Sequence, residues 1–269
     1  MERGTKNSAG TIGRFSDGAV SSSRNAHRSM TIPPLFRPRV LVWSIVALVA
    51  VIALFDLTYL DLAAQDVFYN FDTGLWLIDS RTTSSLGKLV FYSGIKAVII
   101  AFAVVLLVLV VLPDSLRDRL PCRFAAWRRR DMLVVIATLA TAPLLVSIGK
   151  ATTNIHYPCS IQRYGGDVPY VRLFERFPDD ARPPKRSKGF PAGHASGGFA
   201  LVSLAGLAAT RRGRVIGLAI GLGTGWMMGL YQQMRGVHYL SHTLVTMLVC
   251  WIVFLLWRMV ADAFRLPRQ

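Results

Sequence analysis

The sequence predicts an all-α, polytopic membrane protein with six transmembrane helices. Its apolar residues, 52% of the 269, are collected in long blocks, and the basic residues that give a formal net charge of +16 lie mostly between the blocks. A run of about 20 apolar residues forms a helix long enough to cross the hydrocarbon core of a bilayer. The blocks place the six spans at residues 40–59, 97–112, 132–149, 195–210, 215–231 and 243–260.

The six blocks differ in composition, and the differences predict how each helix packs. The first and the last are long and almost uninterrupted apolar runs, and the second is nearly all aliphatic. The third contains Pro143, which a membrane helix tolerates where neighbouring helices cover the freed backbone group. The fourth and fifth are short and rich in small residues, so we expect them to pack closely against their neighbours.

Between the first two spans, apolar residues recur at helical spacing among polar ones. They are Val67, Phe68, Phe71, Leu75 and Ile78. A stripe of this kind predicts an amphipathic helix that lies in the plane of the membrane interface. The same stripe is also compatible with a lid or a brace that buries surface and takes no part in chemistry.

The distribution of Lys and Arg predicts the orientation of the spans. Residues 1–39 hold seven of them and residues 114–131 hold six, and more follow the fourth and sixth spans. These segments alternate correctly for one side, so the positive-inside rule places both termini in the cytoplasm. The first apolar run is too long, and too far from residue 1, to predict a cleaved signal peptide. We expect a disordered basic cytoplasmic tail at 1–38, a six-span membrane domain at 39–262 and a second cytoplasmic tail at 263–269.

The loop at residues 150–191 departs from this charge rule. It should face outward, yet it holds eight basic residues against four acidic ones. Positive charge on the translocated side is disfavoured, so we expect this loop to meet an anionic partner such as lipid headgroups or a substrate. A nucleic-acid partner is disfavoured, because the basic residues line bilayer faces and no nucleic-acid-binding fold is recognisable.

Three polar clusters fall on the same outward face of the predicted bundle. Lys150 ends the third span, PAGHASGG at 191–198 opens the fourth, and QQMRGVHYLSH at 232–242 joins the fifth to the sixth. A helix start offers free N–H groups to an anion, and glycines let the backbone approach it closely. Lys150 and Arg235 add positive charge, and histidines suit the roles of nucleophile and acid near neutral pH. The clusters therefore predict a phosphate site with histidine chemistry.

At these clusters the sequence resembles the type-2 phosphatidic acid phosphatase family of membrane lipid phosphatases. That family has three motifs: Lys, six residues, Arg-Pro; then Pro-Ser-Gly-His; then Ser-Arg, five residues, His, three residues, Asp. Their order, spacing and placement at span ends recur in the motif region, residues 150–242. The resemblance implies a divergent bacterial-type member with a six-helix core and a phosphatase site that faces the periplasm.

The resemblance also implies roles for individual residues. Lys150 matches the phosphate-binding lysine, Gly193 matches the glycine of the phosphate loop, and Ala192 stands at the position of that loop's serine. His194 matches the histidine that protonates the leaving group, and His238 matches the nucleophile that becomes phosphohistidine. Members of the family use no metal ion or other cofactor, so we expect none here.

Three departures from the family pattern concern phosphate binding. Tyr157 stands where the first motif has Arg. Ala192 lacks the hydroxyl of the usual serine, and Ser196 is an alternative donor. Gln232 stands at the position of the third-motif Arg, and Arg235 follows one helical turn later as a replacement cation.

A fourth departure concerns the orientation of the nucleophile. His242 stands where the family has Asp, which fixes the tautomer of the nucleophilic imidazole. A neutral His242 accepts the same hydrogen bond more weakly, and Asp167 or Glu175 of the outer loop is the alternative. Arg186 and Lys188 adjoin the phosphate loop and are further candidates for phosphate contact, unless they only hold anionic headgroups.

The function implied is that of an integral-membrane phosphatase in a bacterial inner membrane, acting at the outer leaflet on a lipid phosphate or pyrophosphate. Phosphatidic acid, phosphatidylglycerol phosphate, undecaprenyl pyrophosphate and lipid A are the candidate substrates. Two alternatives use the same residues: a lipid phosphotransferase, and a non-catalytic protein that binds anionic lipids. The sequence distinguishes neither the lipid nor the oligomeric state.

Overall fold

The structure is a computed structural model, and it describes residues 36–78, 93–117, 119–120 and 127–264. All of these residues lie in one compact unit. Nearly all of the predicted N-terminal tail at 1–38, and most of the predicted C-terminal tail at 263–269, lie outside the described residues.

The described residues are mostly helical. A two-stranded antiparallel hairpin, β1 (Tyr69–Asn70) and β2 (Leu75–Trp76), follows the second helix. Short 3-10 helices interrupt the long loop at Pro158–Ser160, Gln162–Tyr164 and Asp179–Ala181, and another follows the sixth helix at Leu201–Gly206. The α-helices are α1 (Pro38–Leu57), α2 (Leu60–Asp66), α3 (Ile95–Val111), α4 (Asp114–Arg117), α5 (Arg129–Thr152), α6 (Gly193–Ala200), α7 (Arg211–Met234) and α8 (Leu240–Ala263).

Four of these helices, α1, α5, α7 and α8, are long and apolar enough to cross a membrane. They confirm the first, third, fifth and sixth predicted spans as helices of that kind. The second predicted span corresponds to α3, which is apolar but has 17 residues. The fourth corresponds to α6 and the 3-10 helix that continues it. The number of six membrane crossings therefore stays a prediction.

Glycines allow α7 to pack directly against α6 and its 3-10 continuation. Gly217, Gly221, Gly225 and Gly229 recur every four residues, so they share one face of α7, and all four are buried. A Cβ atom on Gly221 would overlap the backbone nitrogen of Val202 in the 3-10 helix. The close packing expected from the small residues of the fourth and fifth spans is thus realised backbone against backbone.

Helix α8 lies at the centre of the bundle, where it packs against α1, α5 and α6. At its C-terminal end the buried Arg258 donates to Asp131 over 2.6 Å and to Asp262 over 3.2 Å. Asp131 lies in the first turn of α5, so the end of α8 meets the start of α5 and the two helices run antiparallel. The end of α5 consequently meets the start of α8 at the opposite end of the bundle.

The amphipathic interfacial helix predicted at residues 67–78 is not confirmed. A short helix, α2, precedes this segment, and the segment itself forms the β1–β2 hairpin. The Asn70 side chain accepts hydrogen bonds from the backbone N–H groups of Asp72 and Thr73, and Gly74 has φ of 67°. An Asn side chain bonded to the following backbone and a glycine with positive φ favour a turn over a helix. The apolar residues whose spacing matched a helix lie on the two strands and next to them.

Candidate active site

The antiparallel bundle brings the predicted site residues to one end. Lys150 lies in the last turn of α5, and Gly193 and His194 open α6. His238 lies in the turn between α7 and α8, and His242 lies in the first turn of α8. Residues separated by up to 92 positions in sequence therefore surround one region, as the alternation of the predicted spans requires.

Three histidine rings form a chain in this region. Nδ1 of His194 lies 3.3 Å from Nε2 of His238, and Nδ1 of His238 lies 3.4 Å from Nδ1 of His242. His238 and His242 are buried. In each pair one nitrogen must carry the proton and the other must accept it, so the tautomers of the three rings are linked.

Burial keeps His238 neutral. Its removal from water, aided by the neighbouring His242, His194 and Lys150, holds the pKa of His238 well below its usual range. The backbone of Gly189 acts in the opposite direction through a hydrogen bond to the ring. A neutral imidazole has one nitrogen with a free lone pair, which a nucleophile requires.

Lys150 lies directly beside the start of α6. A Cβ atom on Gly193 would be 3.3 Å from Nζ of Lys150, so the glycine leaves room for the ammonium group next to the helix N-terminus. Both residues line a cavity of about 420 Å³ together with His194 and Ser196. Apolar side chains complete its lining, among them Ile99, Ile100, Leu139 and Met228. The cavity thus joins a positive, hydrogen-bonding end to an apolar wall.

The remaining residues of the predicted phosphate loop have structural contacts. The backbone N–H of Ala192 donates to the carbonyl of His242 over 3.3 Å, which ties the start of α6 to the start of α8. The hydroxyl of Ser196 donates to the carbonyl of Gly193 over 2.8 Å. Ser196 lines the cavity, but in this arrangement its hydroxyl proton is used within α6.

The two arginines predicted to contact the phosphate, Arg235 and Arg186, differ in their position relative to the histidine rings. Arg235 ends α7, and its guanidinium lies 5.5 Å from the centre of the Tyr231 ring. Arg235 acts electrostatically on His194, as Lys150 does, so it belongs to the same positive environment. Arg186 is exposed and donates to the carbonyl of Thr152 over 2.9 Å, so it lies at the end of α5 rather than within the histidine chain.

The structure also gives the surroundings of Tyr157 and Gln232, two departures from the family pattern. Tyr157 lies with its ring 6.1 Å from that of His238, and its hydroxyl donates to the carbonyl of Lys188 over 3.4 Å. Gln232 is buried. Tyr157, at the position of the first-motif Arg, thus places an aromatic ring in an edge arrangement beside His238 and a hydroxyl against the backbone of the basic loop.

A buried carboxylate close to His242 was not predicted from the sequence. Asp61, on α2, accepts hydrogen bonds from the backbone N–H of Ser241 over 2.9 Å and from its hydroxyl over 2.5 Å. Asp167 and Glu175, the outer-loop acids predicted as alternatives to His242, are both exposed, and Glu175 accepts hydrogen bonds from Arg172. No spacing rule connects residue 61 with the third motif, so only a prediction that α2 folds onto α8 would have found it.

Within the described part of the chain, no group of three or more His, Cys, Asp or Glu side chains is arranged to hold a metal ion. That the protein uses no metal ion or other cofactor stays a prediction.

The long apolar helices and the histidine cluster at one end of their bundle define the class, a helical membrane protein with a polar, histidine-containing site. The family model described as the PAP2 superfamily matches residues 131–265, half of the chain, and the chain belongs to this superfamily. The match covers nearly all of α5 to α8 and includes all three histidines of the chain of rings. Members of the superfamily are phosphatases, which supports a phosphatase activity on phosphate esters. No individual curated protein and no solved structure matches the chain.

Proposed function

We propose that this protein is an integral-membrane phosphatase that hydrolyses a lipid phosphate or pyrophosphate at the outer leaflet through a phosphohistidine at His238. The observation that carries the proposal is the meeting of His194 and Lys150 at the polar end of a cavity with an apolar wall, with Nε2 of His238 3.3 Å from Nδ1 of His194. A phosphate monoester on a hydrocarbon chain is complementary to this cavity, because its dianionic headgroup matches the positive end and its apolar tail matches the apolar wall.

The chemistry proceeds in two displacements. Nε2 of His238 attacks phosphorus as the bond to the leaving oxygen breaks. The bound dianionic phosphate favours the imidazolium form of His194, which gives one of its two ring protons to that oxygen and becomes neutral. Water then attacks the phosphohistidine, the N–P bond breaks, and the proton from water returns to His194. The contact between His194 and His238 opens when the phosphoryl group enters between them. Lys150, Arg235 and the positive N-terminus of α6 at Gly193 stabilise the negative oxygens.

Phosphate binding extends to the other residues of the site. The backbone around Ala192 and Gly193 approaches the phosphoryl group closely, and Ser196 is the nearby hydroxyl. Arg186 and the other basic residues of the outer loop attract a substrate with several negative charges, such as a pyrophosphate or lipid A. Tyr157 shields His238 from water.

The sidedness follows from the distribution of charge. The basic residues at 128–130, at 211–214 and at 258 lie on α5, α7 and α8 away from the histidine end. The positive-inside rule places that basic end in the cytoplasm and the histidines on the outer face, which is the periplasm for a bacterial inner membrane.

The test is phosphate release by detergent-purified protein from phosphatidic acid, phosphatidylglycerol phosphate, undecaprenyl pyrophosphate and lipid A. We expect release from at least one of these lipids. Transfer of the phosphoryl group to another lipid, without free phosphate, would replace hydrolysis by phosphotransfer. Anionic-lipid binding without either reaction would contradict the proposal and leave a binding protein.

Lys150→Ala should slow phosphate release strongly while the protein stays folded. The change removes the ammonium group next to the helix start, and the loss of one preorganised donor raises the barrier by about 2–4 kcal/mol. We expect kcat/KM to fall by about 30- to 1,000-fold, measured with the preferred lipid. The control is Arg212→Ala, an exposed basic residue in the first turn of α7, at the end of the bundle away from the histidines. A fall below tenfold in the Lys150 variant, or an equal fall in the control, would show that Lys150 has a structural role.

A further inference from the structure

A second cavity lies against His242 on the side of α1 and α2. Its volume is about 30 Å³. Apolar side chains form most of its lining, and its polar lining residues include Asp61, Tyr239, Ser241 and His242. A cavity of this size accommodates a water molecule where several polar groups face it. The set of residues that lines it is distinct from the set that lines the large cavity next to Lys150.

Asp61 is held firmly at this cavity. Its carboxylate is buried, and both of its oxygens accept hydrogen bonds from Ser241, the residue before His242. The amide of Gln65, one turn further along α2, donates to the carbonyl of Gln233 over 2.7 Å. Helix α2 is thereby bound to both sides of the turn that carries His238. The carboxylate also lies at the N-terminus of α8, where negative charge is favourable.

The tautomers of His238 and His242 depend on each other and on the groups that surround Nε2 of His242. If Nε2 of His238 carries the lone pair for attack, its proton is on Nδ1, which faces Nδ1 of His242, and the backbone of Gly189 is a second partner of the ring. When His242 accepts that proton, its own proton is on Nε2, and the backbone of Gly189 and the groups of the small cavity are its neighbouring acceptors. Asp61 shares the small cavity with His242. The hydroxyl of Tyr239, buried at the same cavity, has no hydrogen-bond partner among the described residues, as expected where a water completes a polar network.

We propose that Asp61 is a positioning residue of the phosphatase reaction, which acts through a water in the small cavity to fix the tautomer of His242 and, through it, that of His238. The inference rests on the proposed function. Asp61 supplies from α2 the negative charge that the family places within the third motif, where this chain has His242. When phosphohistidine forms, the ring of His238 becomes cationic, and the relay through His242 places that charge within reach of the carboxylate.

The kinetic test compares Asp61→Asn with Asp66→Asn. Asparagine keeps the size of Asp61 and an acceptor for Ser241 but removes the charge. Asp66, on the same helix, bonds to Arg163 and Tyr164 and provides a matched control for the stability of α2. On the preferred lipid we expect kcat of Asp61→Asn to fall by about 10- to 100-fold with KM unchanged, as for the loss of a hydrogen bond to a charged group, and Asp66→Asn to retain the wild-type values. Equal losses in both variants, or wild-type kcat in Asp61→Asn, would overturn the proposal.

The pH profile separates a charge effect from a structural one. Burial raises the pKa of the Asp61 carboxyl to about 6, against the opposing effect of its hydrogen bonds to Ser241. As the pH falls through that value the carboxylate is protonated, so wild-type kcat should fall there, and Asp61→Asn should lack this step. A step that persists in Asp61→Asn would contradict the assignment. The other titratable or charged groups at this cavity are Asp56 on α1, Tyr170 and Arg172 of the outer loop, Tyr239, and His242 on α8.

A measurement without substrate distinguishes failure of this proposal from failure of the proposed function. In protein labelled with ¹⁵N in its five histidines, ring nitrogen shifts report each tautomer, and His238→Gln and His242→Gln assign the signals. We expect the Nδ1–H form for His238, the Nε2–H form for His242, and mixed tautomers for both in Asp61→Asn but not in Asp66→Asn. Unchanged tautomers in Asp61→Asn would refute the positioning role even if the protein hydrolyses lipids, and the expected shifts would support it even if no lipid tested is a substrate.

Discussion

His238→Ala should abolish phosphate release. The variant loses the ring whose Nε2 faces His194 and whose Nδ1 faces His242, and with it the proposed acceptor of the phosphoryl group. Removal of a catalytic nucleophile lowers kcat by about 10⁴- to 10⁶-fold in well-studied hydrolases. We expect release at the level of the lipid alone, measured with the lipid that the wild type hydrolyses fastest.

A second histidine of the same face provides the control. His156 lies after the end of α5, with its ring 5.5 Å from that of Phe177 and outside the chain of histidine rings. His156→Ala should retain phosphate release within about twofold, because the substitution touches neither the phosphate site nor the relay. Wild-type turnover in His238→Ala, in protein whose thermal unfolding matches that of the wild type, would rule out His238 as the nucleophile.

Gly221→Leu should prevent the protein from folding. Even a Cβ atom on Gly221 would overlap the backbone nitrogen of Val202, and a leucine adds three more carbons at that contact. A single extra methylene in a packed interior costs about 1–3 kcal/mol, and a separation of α7 from the 3-10 helix affects several turns. We therefore expect a loss comparable to the whole stability of a typical domain, about 5–15 kcal/mol. The measurement is the yield of monodisperse protein after detergent extraction and its thermal unfolding.

Gly223→Leu is the matched control on the same helix. Apart from the neighbouring backbone of α7 itself, no heavy atom of the described residues lies within 4 Å of a Cβ atom placed on Gly223, which is exposed. The control removes a glycine from the same helix and adds the same side chain, so we expect it to yield folded protein with wild-type unfolding. Equal losses in both variants would indicate an effect of helix composition, and normal folding of Gly221→Leu would contradict the described packing of α7.

The sequence predicted those parts of the fold that follow from long-range patterning of apolar residues. Four of the predicted spans appear as long apolar helices because burial in lipid requires continuous runs of such residues. The meeting of Lys150, His194 and His238 also followed from the sequence, since alternating spans bring every second connection to the same end. The small residues of the fourth and fifth spans predicted the close packing that Gly221 shows.

The parts that the sequence did not predict depend on local turn chemistry and on side-chain contacts between distant elements. The spacing of apolar residues at 67–78 fitted a helix, but Asn70 and Gly74 favoured the hairpin. The fourth predicted span begins as α6 and continues as a 3-10 helix, a change of winding that composition does not encode. Asp61 reaches Ser241 across 180 positions, and no motif indicates that pairing.

Trapping of the phosphorylated protein tests the central claim most directly. Wild-type protein would be mixed with its preferred lipid, quenched within the first turnover at alkaline pH, where phosphohistidine survives, and digested for mass spectrometry. We predict a phosphoryl group on His238, which disappears as phosphate is released, and its absence in His238→Ala. A phosphoryl group on another residue, or rapid phosphate release with His238 unmodified throughout the first turnover, would contradict the mechanism proposed for this membrane phosphatase.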